Sequence, residues 1–146
     1  YTLYWERPGY CTLYLDTPRR AMIRFSYSTD GTVNFSYVRP DLRAGVGPSS
    51  FPVQFQFDGS RNMLGIMGVD TRLDDGREGF MLSGASTELL DGWARSSQVT
   101  LRLPTVIDTP LDNIALRGSA QMIDHLKACA HPNYTVTVMP PPPESM

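Results

Sequence analysis

Cys11 and Cys129 are the two cysteines of the chain, one near each end, and they bound the chemistry it can carry. In a reducing compartment they would be free thiols, metal ligands or nucleophiles; in an oxidising one they would pair. Neither belongs to a CxxC motif, and a separation of 118 residues matches no zinc-ligand spacing. The expectation is a disulfide between them, which contributes about 4–5 kcal/mol in the loop-closure model by restricting the unfolded chain. His125 stands one helical turn before Cys129 and raises a Cys–His nucleophile pair, with His131 as the other histidine. Such a pair needs an accessible thiolate, whereas the helix pattern described below turns Cys129 toward the apolar side. The sequence also lacks a Gly-x-Ser-x-Gly elbow, so no hydrolytic triad is expected.

Carboxylates are densest in Asp70-Thr-Arg-Leu-Asp-Asp-Gly-Arg-Glu78. Calcium needs several oxygens converging at about 2.3–2.6 Å, and Asp70, Asp74, Asp75 and Glu78 are the ligands this stretch would offer. The spacing is not that of an EF-hand, and Arg72 and Arg77 can neutralise the acids, so a solvated Asp-Gly turn is the simpler reading. No cofactor is expected. A pair of carboxylates cleaving glycan is the alternative enzyme chemistry, though nothing in their order marks a pair out. Asn34-Phe-Ser36 and Asn133-Tyr-Thr135 fit the glycosylation acceptor pattern, but Asn34 falls inside a strand.

A third set of residues suits binding. Tyr1, Tyr4 and Trp5 gather at the N-terminus, and aromatics with a polar tip are favoured at interfaces. The alternative is that they cover one face of a half-buried sheet. Near the other end, Tyr134-Thr-Val-Thr-Val138 alternates and could add to a sheet edge, making Tyr134, Val136 and Val138 further interface candidates.

The elements that must position these residues are legible in outline. A chain of 146 residues with 41% hydrophobic content is the size of one domain, and such a domain buries about 70% of its unfolded surface. Residues 1–139 are expected to form it, followed by a flexible proline-rich tail over 140–146. Cys11–Leu15 is a short strand. Ala21–Tyr27 and Thr32–Val38 alternate around Asp30-Gly31 as an antiparallel hairpin. Residues 39–52 carry three prolines and two glycines and are expected to be a long loop. Val53–Asp58, Met63–Val69, Gly79–Ser83, Gln98–Leu103 and Asn113–Arg117 are further strands. The glycines in Met63–Val69 indicate close approach by another backbone. Ser86 caps a short helix to about Arg95, with Leu89, Leu90 and Trp93 on one face. Ser119 caps a second, Ala120–Cys129, in which Met122, Leu126 and Cys129 share a stripe flanked by Ile123 and Ala130. The fold class is therefore α+β: a curved antiparallel sheet of about seven strands with two short helices and one disulfide.

Net charge is −2 and the charges are mixed, with no basic run for nucleic acid or anionic lipid. No apolar stretch approaches the ~20 residues of a membrane-spanning helix. The chain begins at Tyr1 rather than Met, so a cleaved signal peptide is expected, in keeping with the disulfide. Trp5 before Cys11, the Val99-Thr-Leu-Arg-Leu103 strand, and the closing Ile-Ala-Leu-Arg-Gly-Ser-Ala-x-Met-Ile-x-x-Leu-x-x-Cys of 114–129 resemble small periplasmic proteins of proteobacteria. The last motif is similar to the C-terminal end of type VI secretion accessory proteins of the TagO/VasI kind. The resemblance spans about a third of the chain, implies a periplasmic location, and carries over no catalytic residue. The expected function is a non-catalytic periplasmic binding or assembly module with a protein partner in the cell envelope. An envelope or secretion-complex accessory and an immunity-type inhibitor both fit that description. The alternatives are a carboxylate-dependent envelope hydrolase and a structural subunit of a larger assembly.

Overall fold

A computed structural model describes residues 1–7, 9–40 and 50–131, and of Trp5 the backbone. The two alternating runs around Asp30-Gly31 form β3 (Met22–Ser28) and β4 (Val33–Arg39). Their turn holds because Gly31 adopts φ +89°, a conformation that strains any side chain. The Asp30 carboxylate accepts hydrogen bonds from the Ser28 hydroxyl and, at 2.9 Å, from the Thr32 amide. Those bonds hold its carboxyl down to about 2.

Upstream lie β1 (Thr2–Arg7) and β2 (Tyr10–Asp16). Downstream, β5 (Ser50–Phe57), β6 (Leu64–Arg72) and β7 (Glu78–Ala85) precede helix α1 (Glu88–Arg95). Then follow β8 (Gln98–Arg102), β9 (Asp112–Ala115) and helix α2 (Ser119–Cys129). The nine strands of the described residues make one antiparallel sheet, ordered β1-β2-β3-β4-β7-β6-β5-β8-β9, that curls into a half-barrel. The chain passes from β4 to β5 three places along the sheet, then returns by two hairpins so that β7 pairs with β4.

The α+β class, the curved sheet, the two helices and the disulfide match expectation, but nine strands replace about seven. The N-terminal segment adds a strand of its own: β1 pairs with β2 through Leu3↔Leu13 and Trp5↔Cys11. The expected 39–52 loop is shorter, because strand pairing extends β4 to Arg39 and β5 back to Ser50; residues 41–49 lie outside the described residues. Pro52 is tolerated inside β5 because β8 joins only from Gln54 onward, leaving one neighbour at Pro52.

One face of the sheet is the core. Leu13, Phe25, Phe35, Phe55, Phe80 and Leu101 are buried there, and both helices close over it. Trp93 of α1 sits edge-on to Phe25, ring centroids 4.9 Å apart, and Leu89 and Leu90 are buried beside it as their spacing requires. Gly92 allows the contact with β5: a Cβ there would lie 2.5 Å from the Phe57 ring. In α2, Ile123, Leu126, Cys129 and Ala130 are buried and Met122 partly so. The caps differ from expectation. Gly118 at φ +82° precedes α2 and Ser119 is its first residue, while α1 starts at Glu88 after Thr87, which makes no side-chain cap bond. Cys11 and Cys129 are buried and disulfide-bonded, with Cα atoms 6.0 Å apart, so the last helix is tied to the second strand.

Candidate interaction surface

With both cysteines in the disulfide and His125 on the exposed side of α2, these residues assemble no thiol nucleophile. The acidic stretch closes the β6–β7 hairpin. Gly76 takes φ +90°, and the Leu73 amide donates to the Arg77 carbonyl at 2.8 Å. Arg72 pairs with Glu78, and Arg77 bonds Asp75 through Nη2 at 2.7 Å and Nε at 2.8 Å. The Arg77 hydrogen bonds hold the Asp75 carboxyl below the usual carboxylate range. Asp74 is exposed in the turn, and Asp70 is half-buried opposite Phe80. Among the described residues, no group of three His, Cys, Asp or Glu is gathered that could hold a metal ion.

A different carboxylate is the buried one. Asp112, at the start of β9, accepts a 2.7 Å hydrogen bond from the Tyr37 hydroxyl and lies 3.6 Å from the Arg19 guanidinium. Arg39 donates to the Tyr37 oxygen at 3.2 Å and to the Leu111 carbonyl at 2.9 Å. Burial, then the Asp112 bond, push the Tyr37 phenol far above its ordinary pKa. These groups are spent on one another, tying β4 to β9 across the open side of the half-barrel. Sequence reasoning missed the cluster because its central pair, Tyr37 and Asp112, is 75 residues apart.

The aromatic candidates divide. Tyr1 is partly exposed, but its hydroxyl bonds the Ser119 hydroxyl and accepts from Trp93 Nε1 at 3.4 Å, joining the residue before β1 to both helices. Tyr4 is buried on the face opposite the helices, edge-on to Tyr14 at 5.3 Å. Trp5 contributes its backbone to β1, its side chain lying outside the description. Tyr134, Val136, Val138 and the 140–146 tail also lie outside the described residues. Asn34 is committed to the sheet, its side-chain oxygen accepting from the Gly84 amide at 3.1 Å.

The feature that sequence reasoning did not single out is on β6. Leu64, Ile66 and Gly68 face inward with Val53 and Phe51 of β5, while Met67 and Val69 face outward with Met63 just before them. Met63 is 42%, Met67 59% and Val69 51% exposed; apart from Tyr1 they are the exposed large hydrophobics of the described residues. Pro52 lies across from Met67 and Met81 across from Val69, widening the stripe over three strands. The close approach inferred for this strand comes from side chains: a Cβ on Gly68 would meet Val53 at 2.8 Å and Leu82 at 3.1 Å. Backbone approach occurs instead at Gly79, whose Cβ would fall 1.7 Å from the Tyr37 carbonyl oxygen. A signal was present, since Met63–Val69 is apolar in both phases while its neighbours alternate, and an antiparallel strand with one solvated face normally alternates.

A cleft of about 510 Å³ between the end of α1 and the start of α2 has Arg117 as its single charged side chain. No helix among the described residues is long and apolar enough to cross a membrane. No protein-family model, curated protein or solved structure matches this chain.

Proposed function

We propose that this protein is a non-catalytic binding or assembly module of the extracytoplasmic cell envelope, in the periplasm, whose partner is another protein chain. The observation that carries the reading is the Met63, Met67 and Val69 stripe, apolar surface exposed on the face of the sheet opposite the core. Exposed apolar patches on a folded domain mark contact surfaces, and methionine suits them because its flexible thioether adapts to a partner. The buried Cys11–Cys129 disulfide supports an oxidising compartment. A secretion-complex accessory role, as the 114–129 motif implies, is one form of this function.

Affinity capture from the envelope fraction of the source organism, with wild type and Met67→Glu side by side, tests it. The expected result is a protein partner retained by wild type and lost by the variant, with both cysteines oxidised in cells. A cytosolic protein with two free thiols overturns the compartment. Hydrolysis of peptidoglycan with no partner recovered overturns the function.

A further inference from the structure

We infer that the partner of the β6 stripe is a second copy of this chain, docked about a two-fold axis that passes near Met67; this rests on reading the stripe as a binding surface. The stripe carries opposite charges at its two ends. Arg61 is exposed just before Met63, and Asp74 is exposed just beyond the other end of β6. Neither forms an ion pair among the described residues, whereas Arg72, Arg77, Asp75 and Glu78 are consumed within the hairpin. In residue number, positions 61 and 74 are equally far from a point between Met67 and Gly68. An antiparallel two-fold there sets the Arg61 turn of one copy beside the Asp74 turn of the other, twice over, and brings the two Met67 residues within one residue of register. The most exposed residue of the stripe is the one at this centre, with Val69 and Met63 following.

Such an interface is isologous, the commonest closed arrangement of identical subunits, and it requires this kind of self-complementary patch. Two sheet faces pack at about 10 Å with strands within about 30° of parallel or antiparallel, which the antiparallel alignment of two β6 strands satisfies. Glycines serve that approach: a Cβ on outward-facing Gly65 would meet nothing within 4 Å, leaving the surface beside Met67 low. A net charge of −2 per copy opposes association only weakly.

The test is sedimentation of the full chain from micromolar to millimolar concentration, combined with a photo-crosslinker at position 67. Wild type is expected to shift from monomer to dimer with concentration and to cross-link to the β6 segment of a second copy. Met67→Glu, at an exposed position and expected to keep the wild-type circular dichroism spectrum, should weaken the dimer at least about 30-fold, as loss of a central anchor does. Arg61→Glu should weaken it by about 5–10-fold through like-charge contact with Asp74, and Arg61→Glu with Asp74→Arg should restore it. A monomer at every concentration that cross-links to a different envelope protein overturns the second-copy assignment and leaves the binding function standing. A monomer that captures nothing overturns both, and a dimer indifferent to Met67→Glu overturns the placement of the axis.

Discussion

Val38 on β4 and Val69 on β6 point out of the same side of one sheet, yet Val38 is 1% exposed and Val69 51%. Cross-strand pairing places them two residues apart along that face, Val38 opposite Gly79 and Val69 opposite Met81. What separates them is cover. Met22, paired with Val38, lies under Arg77, whose guanidinium reaches its sulfur at 3.9 Å while Asp75 holds the other end of the fork. A long cationic side chain can shield apolar surface with its stem and keep its charge near water. Among the described residues, no such strap covers Val69 or Met67. The same residue type in the same kind of strand is thus buried in one place and half-exposed in the other, and beside the buried one the β6–β7 turn lays Arg77 against Met22.

The sharpest way to break this comparison is to place a carboxylate at each valine. Val38→Asp should cost more than about 4 kcal/mol, because it buries an unpaired charge, while Val69→Asp should stay within about 0.5 kcal/mol. Urea unfolding of the two variants reads the difference, and equal costs would mean that the outer face is uniform. Next in size is the disulfide. Replacing Cys11 and Cys129 with serine should cost about 2–5 kcal/mol. It should leave the contrast between the valines in place, since the bridge ties α2 to the inner face.

Removing the strap itself sharpens the picture. Arg77→Ala should destabilise by about 1 kcal/mol through lost packing, and peroxide footprinting adds a direct readout. Among the methionines of the described residues, Met67 and Met63 should oxidise first in wild type and Met22 last, following thioether exposure. In Arg77→Ala, Met22 should join the reactive set. If Met22 stays protected, something other than Arg77 covers it.

The smallest effects are those of pH. Asp75 has its pKa lowered by Arg77, so its contribution is present above the unfolded carboxyl pKa of about 3.9 and is lost as pH falls through the folded value. Thermal melts should therefore show a shallower acid slope for Asp75→Asn than for wild type, with Met22 becoming more reactive as the strap releases. Tyr37 behaves oppositely. Its pKa is raised, so its contribution is full below about pH 10 and is lost as pH rises toward the folded value. Tyr37→Phe should flatten that alkaline loss. An unchanged alkaline limb would show that the Asp112 tie does not hold the half-barrel closed.

Much of the scaffold could be read from residue order because its determinants are local. The β3–β4 hairpin follows from two alternating runs and an Asp-Gly turn, and the buried side of α2 follows from the spacing of Ile123, Leu126 and Cys129. Residue order leaves two readings open for Tyr4 and Trp5, a half-buried sheet or an interface, and only pairing with β2 distinguishes them. The acidic stretch drew attention through its composition, yet arginines within the same hairpin occupy Asp75 and Glu78. The carboxylate that organises the interior is the solitary Asp112, whose Tyr37 partner is 75 residues away.

Residue order alone determined which side a residue faces in the alternating strands, where the hairpins turn, and that two cysteines were available to pair. Those follow from a two-residue strand period, from the backbone freedom of glycine and from a count. Tertiary structure alone decided what covers each face: Arg77 over Met22, Tyr37 against Asp112, and open surface over Met67 and Val69. Cover is made by groups far apart in the chain, and their contact energies arise only once the nine strands have taken their order in the sheet.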